Sequence, residues 1–194
     1  MVTIKSRVVI PLEGSQAAPE FLSFSGFTKE HIAIVFPSVT PGVTPLVRVH
    51  SECLTGDVFG SQLCDCGPQL QEAIDVFSQE GGVLLYLRQE GRGIGLYAKL
   101  SAYALQKEGL DTFEANRHLN LPEDARSFEP AAQMLKAMDI SRIRLLTNNP
   151  DKASQLGEHG IEIESTIPTG VYLNPNNRRY LEAKVRHKHH TIPF

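Results

Sequence analysis

The chain has 194 residues, 41% of them hydrophobic and 21% charged, with a formal net charge of −3. That composition is ordinary for a soluble globular protein with one substantial domain, and it excludes general electrostatic attraction to nucleic acid or anionic lipid. No apolar run approaches the roughly 18 residues of a membrane span, and Met1-Val-Thr-Ile-Lys-Ser-Arg lacks a signal-peptide core, so the expected location is cytoplasmic.

Residues 1–45 hold short apolar runs, Val8-Val9-Ile10 and Ile32-Ala33-Ile34-Val35-Phe36, broken by Gly and Pro as in strands joined by turns. Leu46-Val-Arg-Val-His50 alternates and predicts a strand that delivers the segment Cys53 to Cys66. From Gln69 the period changes. Leu70, Ala73, Ile74 and Phe77 fall at i, i+3, i+4 and i+7, an amphipathic helix ended by Gly81-Gly82.

Val83-Leu-Leu-Tyr-Leu87 reads as a buried strand, and a tight turn over 89–93 feeds a helix with Leu96, Leu100, Tyr103 and Ala104 on one face. Residues 111–128 read as irregular and polar. Ala131, Met134, Leu135 and Met138 mark a further helix, and Ile143-Arg-Leu-Leu146 a strand. Asn149 is placed to cap the next helix, with Pro150 in its first turn and Gly160 at its end. Ile161-Glu-Ile-Glu predicts another strand, and a final helix is expected from about Asn176. The basic run Arg186-His-Lys-His-His190 reads as a solvated helix end.

Strands alternating with helices over 83–166 imply an α/β fold: a mainly parallel sheet with flanking helices, preceded by an N-terminal strand-rich segment. The chain reads as a single domain over 1–194, with 1–45 the strand-rich part and 46–190 the catalytic core. Ligands of such sheets bind beyond the carboxyl ends of the strands. Two of those ends are unusually polar, at 88–92 and 147–152.

All three cysteines of the chain lie in one stretch, Cys53, Cys64 and Cys66, a C-x10-C-x-C spacing. Three thiolates can converge on one soft cation, and three protein ligands leave tetrahedral Zn²⁺ an open position for water, the arrangement of a hydrolytic site. Burial of the cysteines as small hydrophobes is one alternative, but His50, Glu52, Asp57 and Asp65 are poor company for a core. A disulfide is another, though the odd count leaves one thiol over. A closed structural site with His50 as fourth ligand is the third.

Arg92-Gly93-Ile94-Gly95 lacks the third glycine of the dinucleotide fingerprint, and no Walker A sequence occurs. Arg48, Arg92 and Lys152 could bind phosphates, helped by backbone donors after Asn149, or could be surface charges. Glu52 could orient a water, bind a purine edge or brace the cysteine site. Asp124 and Arg126 could form an ordinary ion pair. Residue chemistry alone thus points to a zinc hydrolase with a phosphate-bearing substrate.

Longer stretches narrow this. Arg48-Val-His-Ser-Glu-Cys-Leu-Thr-Gly-Asp57, Cys64-Asp-Cys-Gly-Pro-Gln69, Arg88-Gln-Glu-Gly-Arg-Gly-Ile-Gly-Leu96 and Leu146-Thr-Asn-Asn-Pro150 closely resemble GTP cyclohydrolase II. Asp111-Thr-Phe-Glu-Ala-Asn116 and Asn174-Pro-Asn-Asn177 fit the same pattern, so the likeness runs over about residues 45–185. That family opens the imidazole ring of GTP, releasing formate from C8 and pyrophosphate. The product, 2,5-diamino-6-ribosylamino-4(3H)-pyrimidinone 5′-phosphate, starts riboflavin synthesis.

The resemblance implies that Cys53, Cys64 and Cys66 bind zinc. It implies GTP contacts at Arg48, Val49, His50, Ser51, Glu52, Gln69, Glu90, Gly91, Arg92, Thr112, Thr147 and Lys152. Asp124 would be the general acid/base, Arg126 the residue proposed to attack the α-phosphate, and Tyr103 a helper near the metal. It further implies Mg²⁺ with the triphosphate and a homodimer. Residues 1–25 match weakly, Glu129-Pro130 replaces a glycine-containing segment, Asp151 a common basic residue, and Ala183 a frequent Thr. Rival readings are a paralogue that stops at the formamide or serves a secondary-metabolite pathway, and a zinc nucleotide sensor without turnover.

Overall fold

The computed structural model describes residues 1–13, 15, 18–40, 42–110, 112–122, 124–178 and 180–182, with only the backbone of Thr112 and Phe113. They form one seven-stranded sheet: β1 (Thr3–Val9), β2 (Glu20–Ser25), β3 (Ile32–Phe36), β4 (Leu46–Ser51), β5 (Gly82–Leu87), β6 (Arg142–Leu146) and β7 (Glu162–Ile167). The spatial order is β1-β2-β3-β5-β4-β6-β7. β4, β6 and β7 run parallel, as crossover helices between strands require. The N-terminal strands pair antiparallel, β1 with β2, β2 with β3 and β3 with β5. This mixed sheet with flanking helices is the expected α/β architecture.

The sheet is central because β5 is apolar on both faces, as a covered strand must be. Alternate residues point to opposite sides. Val83, Leu85 and Leu87 join a core with Val47, Val49, Met134, Leu135 and Leu156, whereas Leu84 joins Ile34, Phe36, Leu46, Ala73 and Phe77. The first layer is completed by α5 (Glu129–Ala137) and α6 (Pro150–Glu158), the second by α2 (Cys66–Glu80). Burying a side chain such as Phe77 contributes about 1.5–3 kcal/mol.

Local signals set the helix ends. Gly81 follows α2 at a φ of 82°, a conformation that glycine holds without steric cost. At α6 the Asn149 side chain accepts a hydrogen bond of 3.1 Å from the Asp151 amide, with Pro150 as the first helical residue. No helix among the described residues is long and apolar enough to cross a membrane.

Two expectations need correction. Residues 111–128 are not wholly irregular, for Thr112–His118 form helix α4, in which Ala115 and Asn116 are buried among the described side chains. In α3 (Leu96–Lys107) the inward face is also different. Leu100 is 46% exposed and Ala104 is exposed, while Lys99 and Ala102 are buried. The remaining helix, α1 (Leu54–Asp57), is a single turn. Of the expected C-terminal helix, Arg179 and residues 183–194, with the Arg186–His190 run, lie outside the described residues.

The chain forms two compact units. The first comprises Met1–His50, Leu70–Arg88 and Ser127–Thr169 and contains nearly all of the sheet. The second comprises Ser51–Gln69, Gln89–Arg126 and the chain from Gly170, and contains α1, the start of α2, α3 and α4.

Candidate active site

The second unit holds all three cysteines. Cys53 ends the extended segment after β4 and stands at the N-terminus of α1. Its amide donates to Asp57 Oδ2 at 2.9 Å, and its carbonyl accepts from the Asp57 amide at 2.7 Å, so Asp57 clasps the turn from both sides. Cys66 is the first residue of α2. All three Sγ atoms lie within 4.8 Å of one another, and those of Cys53 and Cys64 are 3.7 Å apart.

That spacing fits a tetrahedral zinc ion, since metal–sulfur bonds of about 2.3 Å separate two sulfurs by about 3.8 Å. All three are free thiols, so the disulfide alternative falls away. The metal-ligating cluster among the described residues consists of these three sulfurs alone. Glycine makes the convergence feasible. A Cβ at residue 56 would stand 2.9 Å from Cys64 Sγ and 3.2 Å from Cys53 Sγ, and one at Gly67 would collide with the Gly56 carbonyl.

Hydrogen bonds within the trio distribute its charge. Those from Cys64 and then Cys66, with the charge of Lys99, draw the Cys53 thiol far below its ordinary value. The same bond to Cys53 pushes Cys64 up to about 11, and the bonds to Cys53 and Cys64 hold Cys66 well above its ordinary value.

Beside the sulfurs lies a polar group that the sequence reading did not single out. Lys99 Nζ donates to Cys53 Sγ at 3.1 Å, to Thr55 Oγ1 at 2.9 Å and to Glu90 Oε1 at 2.9 Å. Burial works against its charge, but the negative charge of Cys53 and the bonds to Glu90 and Cys53 outweigh it and hold Lys99 protonated. Tyr103 lies with its ring 5.5 Å from Lys99 Nζ and is hydrogen-bonded to Thr55. Burial pushes its phenol up to about 12, so it remains a proton-bearing group at neutral pH. A signal for Lys99 was present: positions 96, 99 and 103 share one helical face, which puts this lysine among Leu96 and Tyr103.

Glu90 also accepts from the amides of Leu54 at 2.6 Å and Gly91 at 2.8 Å, joining the Cys53 turn to the segment that carries Arg92. Residues 90–93 form a 3₁₀ turn in which Gly91 and Arg92 both adopt left-handed backbone, φ 61° and 59°. A non-glycine residue there is uncommon and marks a constrained site. The Arg92 carbonyl accepts from the Ala125 amide at 2.9 Å, and its guanidinium lies 5.8 Å from the Tyr180 ring centre.

Asp124 and Arg126 form a two-pronged ion pair, Nε to Oδ1 at 2.9 Å and Nη2 to Oδ2 at 2.7 Å. The Arg126 amide adds a third bond to Oδ1 at 3.1 Å. Burial opposes ionisation of Asp124, but the bonds and charge of Arg126 prevail and hold the carboxyl below its ordinary 3.8. Burial likewise opposes the charge on Arg126, and Asp124 overcomes it. Because the folded-state pKa of Asp124 is depressed, the pair's stabilisation is fully present above the unfolded value. It is lost as pH falls through the lower folded value. Urea unfolding of Asp124→Asn should therefore show a deficit against the parent chain at neutral pH that shrinks steadily once pH drops below 3.8. A deficit unchanged at the acid end would refute the ion-pair account.

Of the other residues named from sequence, Ser51 Oγ accepts from Gln89 Nε2 at 2.9 Å, and Gln69 Nε2 donates to Asp65 Oδ2 at 2.7 Å. Glu52 is half-buried. Thr112 opens α4, and its side chain lies outside the described part of the structure. Asp57, Thr55 and Tyr180 join this unit's site without having been singled out as candidates.

Five further candidates gather in the first unit around the ends of β4 and β6. Arg48 is buried and donates to the Leu146 carbonyl at 3.1 Å, and His50 stacks on Tyr86 with ring centres 5.5 Å apart. The Val49 side chain is in the core, and its carbonyl accepts from Lys152 Nζ at 2.7 Å. Thr147 Oγ1 accepts from the Asn149 amide at 3.0 Å, shaping the turn into α6.

Residues 15–168 match the family model of GTP cyclohydrolase II. GTP cyclohydrolase-2 of Vibrio cholerae is 51% identical over 99% of both chains, and that of Vibrio vulnificus 53% identical over 98% of both. The riboflavin biosynthesis protein RibBA of Bacillus cereus is 47% identical over 99% of this chain and 49% of its own length. With the family match spanning most of the sequence and such identity sustained from end to end, the chain belongs to the GTP cyclohydrolase II family.

Proposed function

We propose that this chain hydrolyses GTP at two places, opening the imidazole ring with loss of C8 as formate and removing pyrophosphate from the triphosphate. The product is 2,5-diamino-6-ribosylamino-4(3H)-pyrimidinone 5′-phosphate, and the reaction serves riboflavin biosynthesis. The observation that carries the reading is the convergence of three sulfurs within 4.8 Å in a chain of this family. Both compact units are read as parts of one catalytic domain, acting as a homodimer in the cytoplasm.

Cys53, Cys64 and Cys66 would hold zinc, which supplies Lewis acidity and a hydrolytic nucleophile at neutral pH. Tyr103, protonated at neutral pH, is placed to donate a hydrogen bond beside the sulfurs. Asp124 is ionised and is the group proposed to take and return protons as the ring opens. Its grip on Arg126 keeps that guanidinium charged and oriented. A charged guanidinium is a very poor nucleophile, so Arg126 is read as a clamp on the phosphate under attack. Mg²⁺ bound with the triphosphate would offset charge and improve pyrophosphate as a leaving group. In the second unit Ser51, Glu52, Gln69, Glu90, Gly91, Arg92 and Thr112 are proposed GTP contacts. In the first unit, Arg48, Val49, His50, Thr147 and Lys152 are.

The test is to incubate purified protein with GTP and Mg²⁺ and to quantify formate, pyrophosphate and nucleotide products. Formate and pyrophosphate in equal amounts are expected, with both abolished by a zinc chelator and restored by added zinc. A formamide product without formate would identify a paralogue that halts after the first ring cleavage. Saturable GTP binding with no product would identify a sensor.

A further inference from the structure

We infer that Lys99 is a positioning residue of the metal centre: it fixes the Cys53 sulfur and couples it to the Glu90 turn. The inference rests on the zinc reading above and extends it to a residue outside the ligand set.

An ammonium ion has three N–H donors and no acceptor. Those of Lys99 meet three acceptors, Cys53 Sγ at 3.1 Å, Thr55 Oγ1 at 2.9 Å and Glu90 Oε1 at 2.9 Å, in a side chain that is only 9% exposed. Every proton of the head group is used. The helix also approaches the Glu90 turn closely, for a Cβ placed at Gly91 would stand 3.1 Å from the Cβ of Lys99. Glu90 is itself pinned by the amides of Leu54 and Gly91. Lys99 therefore ties together the residue after Cys53, the sulfur of Cys53 and the residue before Arg92.

Two consequences follow for the metal. Three thiolates around a divalent cation leave a formal charge of −1, and a buried ammonium ion touching one sulfur offsets that surplus. The hydrogen bond also lowers the energy of the sulfur lone pairs, so Cys53 donates less electron density and the metal remains a stronger Lewis acid. Outer partners that orient metal ligands govern both affinity and electronic character. A plain structural ion pair between Lys99 and Glu90 would have neither effect.

The experiment compares parent protein with Lys99→Met, which keeps the side chain's bulk and removes the donor. Zinc affinity is measured by competition with a chromogenic chelator, and cobalt is substituted to record sulfur-to-metal charge-transfer absorption. Affinity should fall about 10- to 100-fold, and the charge-transfer band should move to longer wavelength. Folding of the variant is checked by circular dichroism. A folded variant with parental affinity and an unmoved band overturns the inference. If Lys99→Met does not fold, the parent protein decides, loaded with cadmium-113 and examined by NMR. A scalar coupling from the Lys99 ammonium protons to cadmium through Cys53 is expected, and its absence overturns the inference. Parent protein that binds neither zinc nor cobalt instead sinks the zinc reading itself, a separate result.

Discussion

Cys64→Ser is expected to leave a folded protein that retains no zinc at micromolar concentration and turns GTP over about 10³-fold more slowly, or worse. The sign follows from donor chemistry. Serine's hydroxyl does not ionise at neutral pH and is a hard donor, whereas a trigonal set of thiolates is what selects zinc. The magnitude follows from what a Lewis acid contributes, several kcal/mol of transition-state stabilisation, with about 1.4 kcal/mol for each factor of ten. The fold should survive. Cys64 Sγ contacts the Gly56 turn and its two partner cysteines, whereas the two hydrophobic clusters draw on other residues altogether. Metal content by atomic emission, together with formate release, gives the answer. A variant that keeps stoichiometric zinc, or turnover within a few-fold of the parent, would end the hydrolytic account.

Arg126→Ala should be nearly as damaging, by a different route. Clamping arginines in phosphoryl transfer contribute about 10³- to 10⁵-fold, so pyrophosphate release should fall by roughly 10³-fold. The loss has two components. Removing the guanidinium removes charge that would stabilise the phosphate under attack, and it leaves the Asp124 carboxylate half-buried without its partner. Arg126→Lys should recover only a fraction, because an ammonium ion keeps the charge but not the planar fork that grips both oxygens of Asp124. Intact-mass spectrometry of the parent during turnover separates clamp from nucleophile. No added nucleotide is expected. A nucleotide adduct on the parent that vanishes in Arg126→Ala would replace the clamp by covalent catalysis, and unchanged pyrophosphate release in Arg126→Ala would remove the residue from the mechanism.

Much of this was readable from residue order because the responsible physics is local. The Asn149-Pro150 helix start, the Gly81 helix stop and the apolar run of β5 each depend on a few neighbouring residues. The convergence of Cys53, Cys64 and Cys66 was also local, since they lie within one short stretch that a single glycine-lined turn can fold. What escaped depends on tertiary partners. In α3 the apolar stripe through Leu100 and Ala104 suggested the buried side, yet the helix turns Lys99 inward because three acceptors from other segments await it. α4 escaped for a related reason, since Thr112–His118 carries no 3.6-residue apolar period, and the buried ones among its described side chains are Ala115 and Asn116. The antiparallel pairing of β5 with β3 joins the strand-rich start of the chain to the central strand, across more than forty residues that no short-range pattern spans.

Arg92 leaves a last consequence. Its left-handed backbone costs roughly 1–2 kcal/mol that a glycine would not incur, and it is bracketed by two glycines that already tolerate such angles. The cation is thus mounted on a reluctant hinge that the surrounding contacts must hold in place. Screening this chain for heat resistance alone would favour losing that side chain, so under the proposed role of Arg92 as a GTP contact durability and turnover pull in opposite directions at this one position.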